Sequence, residues 1–86
     1  MVNKSIEMKL KIKLFGILAD KAGKSEIEIE TDNEIDKDSL LIKINKKYPE
    51  FANTNYVIAV NKKVISTNQP LKENDEIALL PPFAGG

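Results

Sequence analysis

The C-terminal segment of the chain carries the residues best suited to covalent chemistry. Residues 81–86 read Pro-Pro-Phe-Ala-Gly-Gly. The two prolines fix φ and favour an extended backbone, which predicts a stiff tail that loses little entropy when a partner orders it. The two glycines have no Cβ, so the backbone can pass through a narrow channel and present the Gly86 carboxylate to another protein. We therefore predict that the main-chain carboxylate of Gly86 is the reactive group.

The residue types that the chain lacks exclude most side-chain chemistry. Its 86 residues include no Cys, His, Arg or Trp. Without Cys and His there is no thiolate nucleophile and no imidazole base, and we expect no metal site. A chain this short also builds no deep cleft of its own. The chemistry is therefore expected from partners: an ATP-using enzyme would activate the carboxylate as an acyl adenylate, and a nucleophile would displace AMP.

Composition and charge predict one small globular domain. Hydrophobic residues make up 42% and charged residues 30%, and 13 basic residues balance 13 acidic ones. This composition is typical of a folded domain, and the charges change sign in blocks along the chain, which disfavours nucleic-acid binding. The apolar stretch at residues 14–19 is too short for a membrane span or a signal peptide. We expect a cytoplasmic protein that binds no membrane.

Two strands of opposite charge are predicted before residue 31. From Lys9 to Leu14, Lys alternates with Leu or Ile, and from Glu26 to Glu30, Glu alternates with Ile. Such alternation indicates strands with one buried face. Antiparallel pairing would place the Lys row opposite the Glu row, where each pair contributes a few tenths of a kcal/mol and helps to fix the register. We interpret this ladder as a solvated sheet face.

A helix and two or three further strands follow. Asp36 is a candidate N-cap and Pro49 ends the helical pattern. The predicted apolar face of the helix consists of Leu40, Leu41, Ile44 and Tyr48. The further strands are predicted at residues 56–60, 64–66 and 75–80. The order of elements indicates an α+β fold, a mixed four- to five-stranded sheet with one main helix packed on one face.

One helix covers only one face of such a sheet, so apolar side chains remain on the other face. Phe15 has the parity of the Lys row and should point away from the core. We predict an exposed apolar patch that includes Phe15; the alternative is a local bulge that turns this side chain inward. The other members of the patch are one of two pairs: Ala78 with Leu80, or Ile77 with Leu79.

The sequence resembles a known family, the small subunit of molybdopterin synthase, which is a ubiquitin-like sulfur carrier with a β-grasp fold. Nearly the whole chain carries the resemblance: residues 11–16 with 22–23, 47–51, 59–61 and 71–86. The most specific block is the last, Leu-Lys-Glu-Asn-Asp-Glu-Ile-Ala-Leu-Leu-Pro-Pro-Phe-Ala-Gly-Gly. The resemblance divides the chain into a short N-terminal extension at 1–7, a β-grasp domain at 8–80 and an extended tail at 81–86.

The resemblance also implies a reaction for Gly86. In this family the C-terminal glycine is adenylated by a ubiquitin-activating-type enzyme and then converted to a thiocarboxylate with sulfur from a donor protein. Gly86 would accordingly pass through a glycyl adenylate to 1-thioglycine. It would donate sulfur to cyclic pyranopterin monophosphate within molybdopterin synthase, in molybdenum cofactor biosynthesis. ATP would be used by the activating partner, with no cofactor bound by this chain alone.

Partner contacts follow from the same resemblance. The partners would be the adenylating enzyme, the sulfur donor protein and the large subunit of molybdopterin synthase, the last in a heterotetramer. The chain would be the non-catalytic, sulfur-carrying small subunit of this transferase complex. Phe15 and Leu80 would belong to the docking surface, and Ala78, with the parity of Leu80, completes the predicted docking patch. The residues predicted to thread the partners' active sites are Pro81, Pro82, Phe83, Ala84 and Gly85.

Two other readings remain open from the sequence. A related carrier could keep the thiocarboxylate and change the acceptor, for thiazole synthesis, tRNA thiolation or attachment to protein lysines as a modifier. Alternatively, the domain could be a non-covalent interaction module of β-grasp shape with a merely flexible tail. Co-purification with a thiazole synthase or with lysine conjugates would favour the first reading. Undiminished partner binding by a chain that ends at Ala84 would favour the second.

Overall fold

The computed structural model describes residues 8–32 and 34–82. Strands and helices follow one another along most of this part of the chain. They are β1 (Met8–Leu14), α1 (Ile17–Ala22), β2 (Glu26–Thr31), β3 (Ile35–Asp36), α2 (Lys37–Lys47), a 3₁₀ helix (Pro49–Asn53), β4 (Val57–Val60), β5 (Lys63–Ile65), β6 (Pro70–Leu71) and β7 (Ile77–Leu80).

Five of these strands form one mixed sheet in the order β2-β1-β7-β4-β5. The central strands β1 and β7 are parallel, and the other neighbouring pairs are antiparallel. The short strands β3 and β6 form a separate antiparallel pair. The predicted mixed sheet with one main helix is confirmed, and the sheet has five strands.

The Lys and Glu rows pair as predicted. Strands β1 and β2 are antiparallel, with Lys9 opposite Glu30, Lys11 opposite Glu28 and Lys13 opposite Glu26. Along both strands, exposed charged residues alternate with buried residues, which are apolar except for Thr31 at the end of β2. The alternation of the sequence therefore reports the two faces of the sheet correctly.

Helix α2 covers the apolar face and begins where the sequence indicates. The backbone N–H of Ser39 donates to Asp36 Oδ1 at 2.9 Å, so Asp36 is the N-cap. The helix ends at Lys47, and Pro49 begins the 3₁₀ helix. Fully buried side chains between the sheet and the helices include Leu10, Ile12, Leu18, Ile27, Leu40, Ile44, Phe51, Ile77 and Leu79.

Helix α1, between β1 and β2, was not expected from the sequence. It has six residues, buries Leu18 and ends at Gly23, which adopts the left-handed conformation with φ of 74° and donates its N–H to the Ala19 carbonyl at 2.9 Å. A helix of fewer than two turns is too short to show a 3.6-residue period. The connection between the charged strands is therefore a packed element.

The predicted domain, residues 8–80, begins with the first residue of β1 and ends with the last residue of β7. The predicted extension at residues 1–7 and the last four residues of the predicted tail lie outside the described residues. The division of the chain into extension, domain and tail stays a prediction.

Candidate functional site

The sheet face that α2 leaves uncovered has two unlike halves. The charged half is the Lys–Glu ladder on β1 and β2. The apolar half consists of Phe15, Ala59, Val64, Ala78 and Leu80. Strand pairing joins the halves, because Lys13 is the partner of Ala78 on β7, Ala78 is the partner of Ala59 on β4, and Ala59 is the partner of Val64 on β5. One row of side chains therefore crosses four strands and changes from charged to apolar along its length.

The apolar half contains the residues predicted for the docking patch. Phe15 is 45% exposed and Ala78 and Leu80 are half-buried, whereas Ile77 and Leu79 are fully buried in the core. The pair beside Phe15 is therefore Ala78 with Leu80. The alternative prediction, a local bulge that turns the Phe15 side chain inward, is wrong. These side chains line a shallow depression of about 260 Å³ together with Lys13, Ala59, Lys62, Val64 and Glu76.

Phe15 is held at this position by the central parallel strands. It follows the last residue of β1, and its backbone N–H donates to the Leu79 carbonyl at 3.2 Å. Because Leu14 is the strand partner of Leu79, the chain still follows the pleat of the sheet at Phe15 and the alternation of faces continues by one residue. The aromatic ring therefore lies on the uncovered face beside the end of β7.

Charged residues form the rim of the depression. Lys13 Nζ lies 3.8 Å from Glu76 Oε2, and both side chains are about half exposed. A pair so open to water contributes little to stability. Lys62 reaches the same rim from the turn between β4 and β5. The apolar floor is thus surrounded by charges that can orient a partner.

Asn61 holds this rim in place through its side chain. The sequence did not predict this role. Asn61 and Lys62 have φ values of 54° and 71°, the positive pair that a tight two-residue hairpin turn requires. The Asn61 side chain donates to Asp75 Oδ1 at 3.0 Å and accepts the Glu76 N–H at 2.9 Å. A turn at residues 61–63 could be predicted, since Asn between two β-rich runs favours left-handed backbone, but the contacts with Asp75 and Glu76 depend on which strands become neighbours.

The predicted tail residues are described only in part. Pro81 is half-buried and Pro82 is exposed immediately after β7. Phe83, Ala84, Gly85 and Gly86 lie outside the described residues, so their roles in threading and in sulfur chemistry stay predictions. Pro81 and Pro82, at the base of the predicted tail, are therefore the tail residues that the structure describes.

A second depression, of about 590 Å³, lies at the start of α2 between β3 and β6. Its Asp36 accepts hydrogen bonds from the Ser39 backbone and the Asn68 side chain, and these hold the pKa of that carboxyl below its usual range. The carboxylate is therefore used in capping the helix. This depression contains none of the residues predicted for the site.

Neither a metal-binding cluster nor a membrane-spanning helix occurs among the described residues. Within 8–32 and 34–82, no three acidic side chains come together in a group that could hold a metal ion. No helix in this part of the chain is long and apolar enough to cross a membrane. The depression beside Phe15 is also smaller than typical small-molecule sites of 300–1,000 Å³. Its shape and lining fit the docking of a protein surface.

Comparison with known proteins connects this geometry to a family. The model of the ThiS family matches residues 12–86. The molybdopterin synthase sulfur carrier subunit of Dictyostelium discoideum is 38% identical over 81 residues, which cover 88% of this chain and 94% of the relative.

Solved structures agree on the fold. Molybdopterin converting factor, subunit 1, of Pyrococcus furiosus has a TM-score of 0.77 at 27% identity, covering 86% of this chain and 97% of its own. Small archaeal modifier protein 1 of Methanosarcina acetivorans has a TM-score of 0.69 at 25% identity, covering 92% of this chain and 97% of its own. The fold is the ubiquitin-like β-grasp implied by the resemblance.

Proposed function

This chain belongs to the ThiS family of ubiquitin-like sulfur carriers, and from that premise we propose that Gly86 carries sulfur as a thiocarboxylate for molybdopterin synthase. The acceptor would be cyclic pyranopterin monophosphate. The observation that carries this choice is the 38% identity, over 81 residues, to a molybdopterin synthase sulfur carrier subunit. The tail supports it, because a Gly-Gly end preceded by two prolines suits delivery of a main-chain carboxylate.

The proposed chemistry needs only the carboxylate from this chain. A carboxylate oxygen of Gly86 attacks the α-phosphorus of ATP in the activating enzyme, which forms the glycyl adenylate and releases pyrophosphate. A sulfide-level nucleophile from a donor protein then displaces AMP and leaves the thiocarboxylate. Donation of the sulfur to the pterin, with water supplying the oxygen, returns the carboxylate for another cycle. Covalent activation divides one difficult substitution into steps with a good leaving group.

In this scheme the partners supply the binding sites and the catalytic groups. The adenylating enzyme and the large subunit of molybdopterin synthase dock on the apolar half, where Phe15 and Leu80 are accessible. The tail then enters a channel in the partner, with Pro81 at its base and Phe83, Ala84 and Gly85 inside. The pterin binds the large subunit, because the depression beside Phe15, of about 260 Å³, is smaller than typical small-molecule sites. We propose a cytoplasmic location for this reaction.

Intact-protein mass spectrometry tests the proposal. The native chain and a Gly86 deletion are incubated with ATP, the adenylating enzyme and a sulfur donor. The native chain should gain the mass of one oxygen-to-sulfur exchange, and the deletion should gain none while melting at the same temperature. An unchanged native mass, with the adenylating enzyme active on a control carrier, would overturn the proposal.

A second candidate function is attachment to protein lysines as a modifier. It is favoured by the likeness to small archaeal modifier protein 1 at 25% identity. Both functions use the adenylate of Gly86, so sulfur loading alone does not separate them. Addition of the large subunit and pterin substrate does: dithiolene product supports the first function, and lysine conjugates in the source cell without such product support the second.

A further inference from the structure

Gly16 lies beside the point where the tail leaves the sheet. A Cβ at this residue would lie 3.0 Å from Pro81 Cγ and 3.7 Å from Pro81 Cδ. The first distance is shorter than carbon atoms normally approach one another. The backbone of Gly16, with φ of 60° and ψ of −134°, also has a conformation that glycine adopts readily and other residues avoid. The tail therefore leaves β7 against a bare stretch of backbone.

The surrounding hydrogen bonds hold that stretch of backbone in place. Leu14 and Leu79 are partners in the parallel pair, so Gly16 and Pro81 each come two residues after the same pairing. On the other side, the Gly16 carbonyl accepts from the N–H of Ala19 at 3.1 Å and of Asp20 at 3.3 Å. Gly16 is thus fixed between the end of β1 and the start of α1, and it cannot move easily to make room.

We propose that Gly16 is a positioning residue that sets the direction of the tail, an inference that rests on the proposed function of Gly86. Pro81 has no N–H, so it cannot continue the ladder of β7, and its ring instead packs on Gly16. The adjacent Phe15 lies in the docking surface. One short segment, Phe15-Gly16, therefore contributes to docking and aims the tail from that docked position.

Direction matters because the reactive group is five residues beyond Pro81. A displacement at the base of the tail is carried outward along a segment stiffened by Pro81 and Pro82. Misplacement of a reacting group by about 1 Å can reduce a rate on the order of 100-fold. A methyl group on Gly16 should therefore lower the rate of Gly86 activation within the docked complex and leave docking itself nearly unchanged.

Gly23 provides a matched control within the same connection. It also has a positive φ, 74°, so replacement by Ala strains the backbone there too. A Cβ at Gly23 would meet no atom within 4 Å. The two positions share the sign of φ but differ in ψ, which is 19° at Gly23 and −134° at Gly16, so Ala is more strained at Gly16. Comparison of Gly16→Ala with and without the Pro81 ring therefore isolates the contact with Pro81.

The experiment measures adenylation and sulfur loading for native chain, Gly16→Ala, Gly23→Ala, Pro81→Ala and the double variant Gly16→Ala/Pro81→Ala. For Gly16→Ala we expect kcat to fall roughly tenfold and KM to change less than about threefold. Gly23→Ala should stay within about twofold of the native kcat. Pro81→Ala alone should also lower kcat, and the further loss caused by Gly16→Ala in that background should be smaller than in the native background, because the new methyl group no longer meets the Pro81 ring. The melting temperature of each variant is measured, and only variants that are folded at the assay temperature are compared.

Equal kcat for Gly16→Ala and Gly23→Ala, or an equal loss from Gly16→Ala with and without the Pro81 ring, would overturn the inference. A native chain that loads sulfur keeps the proposed function intact in either case. If no variant is loaded with sulfur, the contact can still be measured in the free native chain, without a partner. We expect a nuclear Overhauser effect between Gly16 Hα and the Pro81 ring protons. Its absence would overturn the inference whatever happens to the proposed function.

Discussion

The two halves of the uncovered sheet face share one backbone pattern and differ in what they present to solvent. In the charged half, Lys faces Glu across β1 and β2, and each exposed pair adds only tenths of a kcal/mol. Strand β2 is an edge of the sheet, where charged side chains discourage pairing with other chains. The charged half therefore helps to fix the register between β1 and β2, and it discourages pairing of the edge strand β2 with other chains.

The apolar half is centred on β7, the strand that leads to the tail. Its floor is formed by two alanines, Ala59 and Ala78, paired across β4 and β7, so it is shallow and open. Phe15 and Leu80 stand at the end of the sheet from which the chain leaves β7. The apolar half and the base of the tail therefore meet at β7, and under the proposed function a partner bound to this half would also control where the tail goes.

The largest expected effect contrasts two neighbours on β7. Leu79 is fully buried, and Leu79→Ala should lower the free energy of unfolding by about 3 kcal/mol and the melting temperature by roughly 12–24 °C. Leu80 is half-buried on the other face, so Leu80→Ala should cost about 1 kcal/mol or less and weaken partner binding instead. Urea unfolding and binding titrations check both. Equal destabilisation by the two variants would show that the faces are not distinct.

Matched substitutions compare the two halves directly. Phe15→Gln should weaken binding of the adenylating enzyme roughly 30-fold, about 2 kcal/mol, because an exposed aromatic anchor is lost. Lys11→Gln introduces the same side chain on the same face in the charged half and should change affinity less than about threefold. Isothermal titration calorimetry measures both. A larger loss of affinity for Lys11→Gln than for Phe15→Gln would show that the enzyme docks on the charged half.

A smaller effect tests the ladder itself. Lys11→Glu places two like charges opposite each other, since the partner of Lys11 is Glu28. The free energy of unfolding should fall by less than about 1 kcal/mol, and the loss should shrink in high salt because the pair is exposed to solvent. Denaturant titrations at low and high salt measure the difference. A loss that salt does not alter would mean that packing is disturbed.

The smallest effect is a pH dependence far from the apolar half. Hydrogen bonds from the Ser39 backbone and the Asn68 side chain lower the pKa of Asp36 from its ordinary 3.8. A carboxyl whose folded pKa is lowered stabilises the fold above its unfolded pKa, and this contribution disappears as the pH falls through the folded pKa. Asp36→Asn, which still caps a helix, should therefore lose less stability than native chain on acidification below 3.8. Identical acid dependence would contradict this role.

Local patterns predicted the elements that are long enough to show a period. Alternation identified β1 and β2, and the cap at Asp36 with the stop at Pro49 identified α2. Helix α1 and the two-residue strands β3 and β6 are shorter than any period that a sequence can display. Their formation depends on packing against elements that are distant in the chain.

The same limit applies to the site. The parity of Phe15 placed it on the uncovered face, because parity is local. The rim at Asn61 and the contact between Gly16 and Pro81 depend on which strands become neighbours. Parallel pairing joins β1 and β7, the first and last strands of the described residues. No local pattern in the sequence indicates this pairing. Sequence alone therefore predicted the exposed patch but not the contact between Gly16 and Pro81, and the reactive role of the tail stays a prediction.

Chemical-shift mapping tests most directly the claim that partners dock on the apolar half and draw the tail from it. The isotope-labelled carrier is titrated with the unlabelled adenylating enzyme and ATP, and backbone amides and methyl groups are followed together. We expect shifts in the methyl groups of Ala59, Val64, Ala78 and Leu80 and in the amide of Phe15, and none in the amides of Lys9 and Glu28. Shifts confined to the Lys–Glu ladder, with the apolar half unchanged, would contradict the claim.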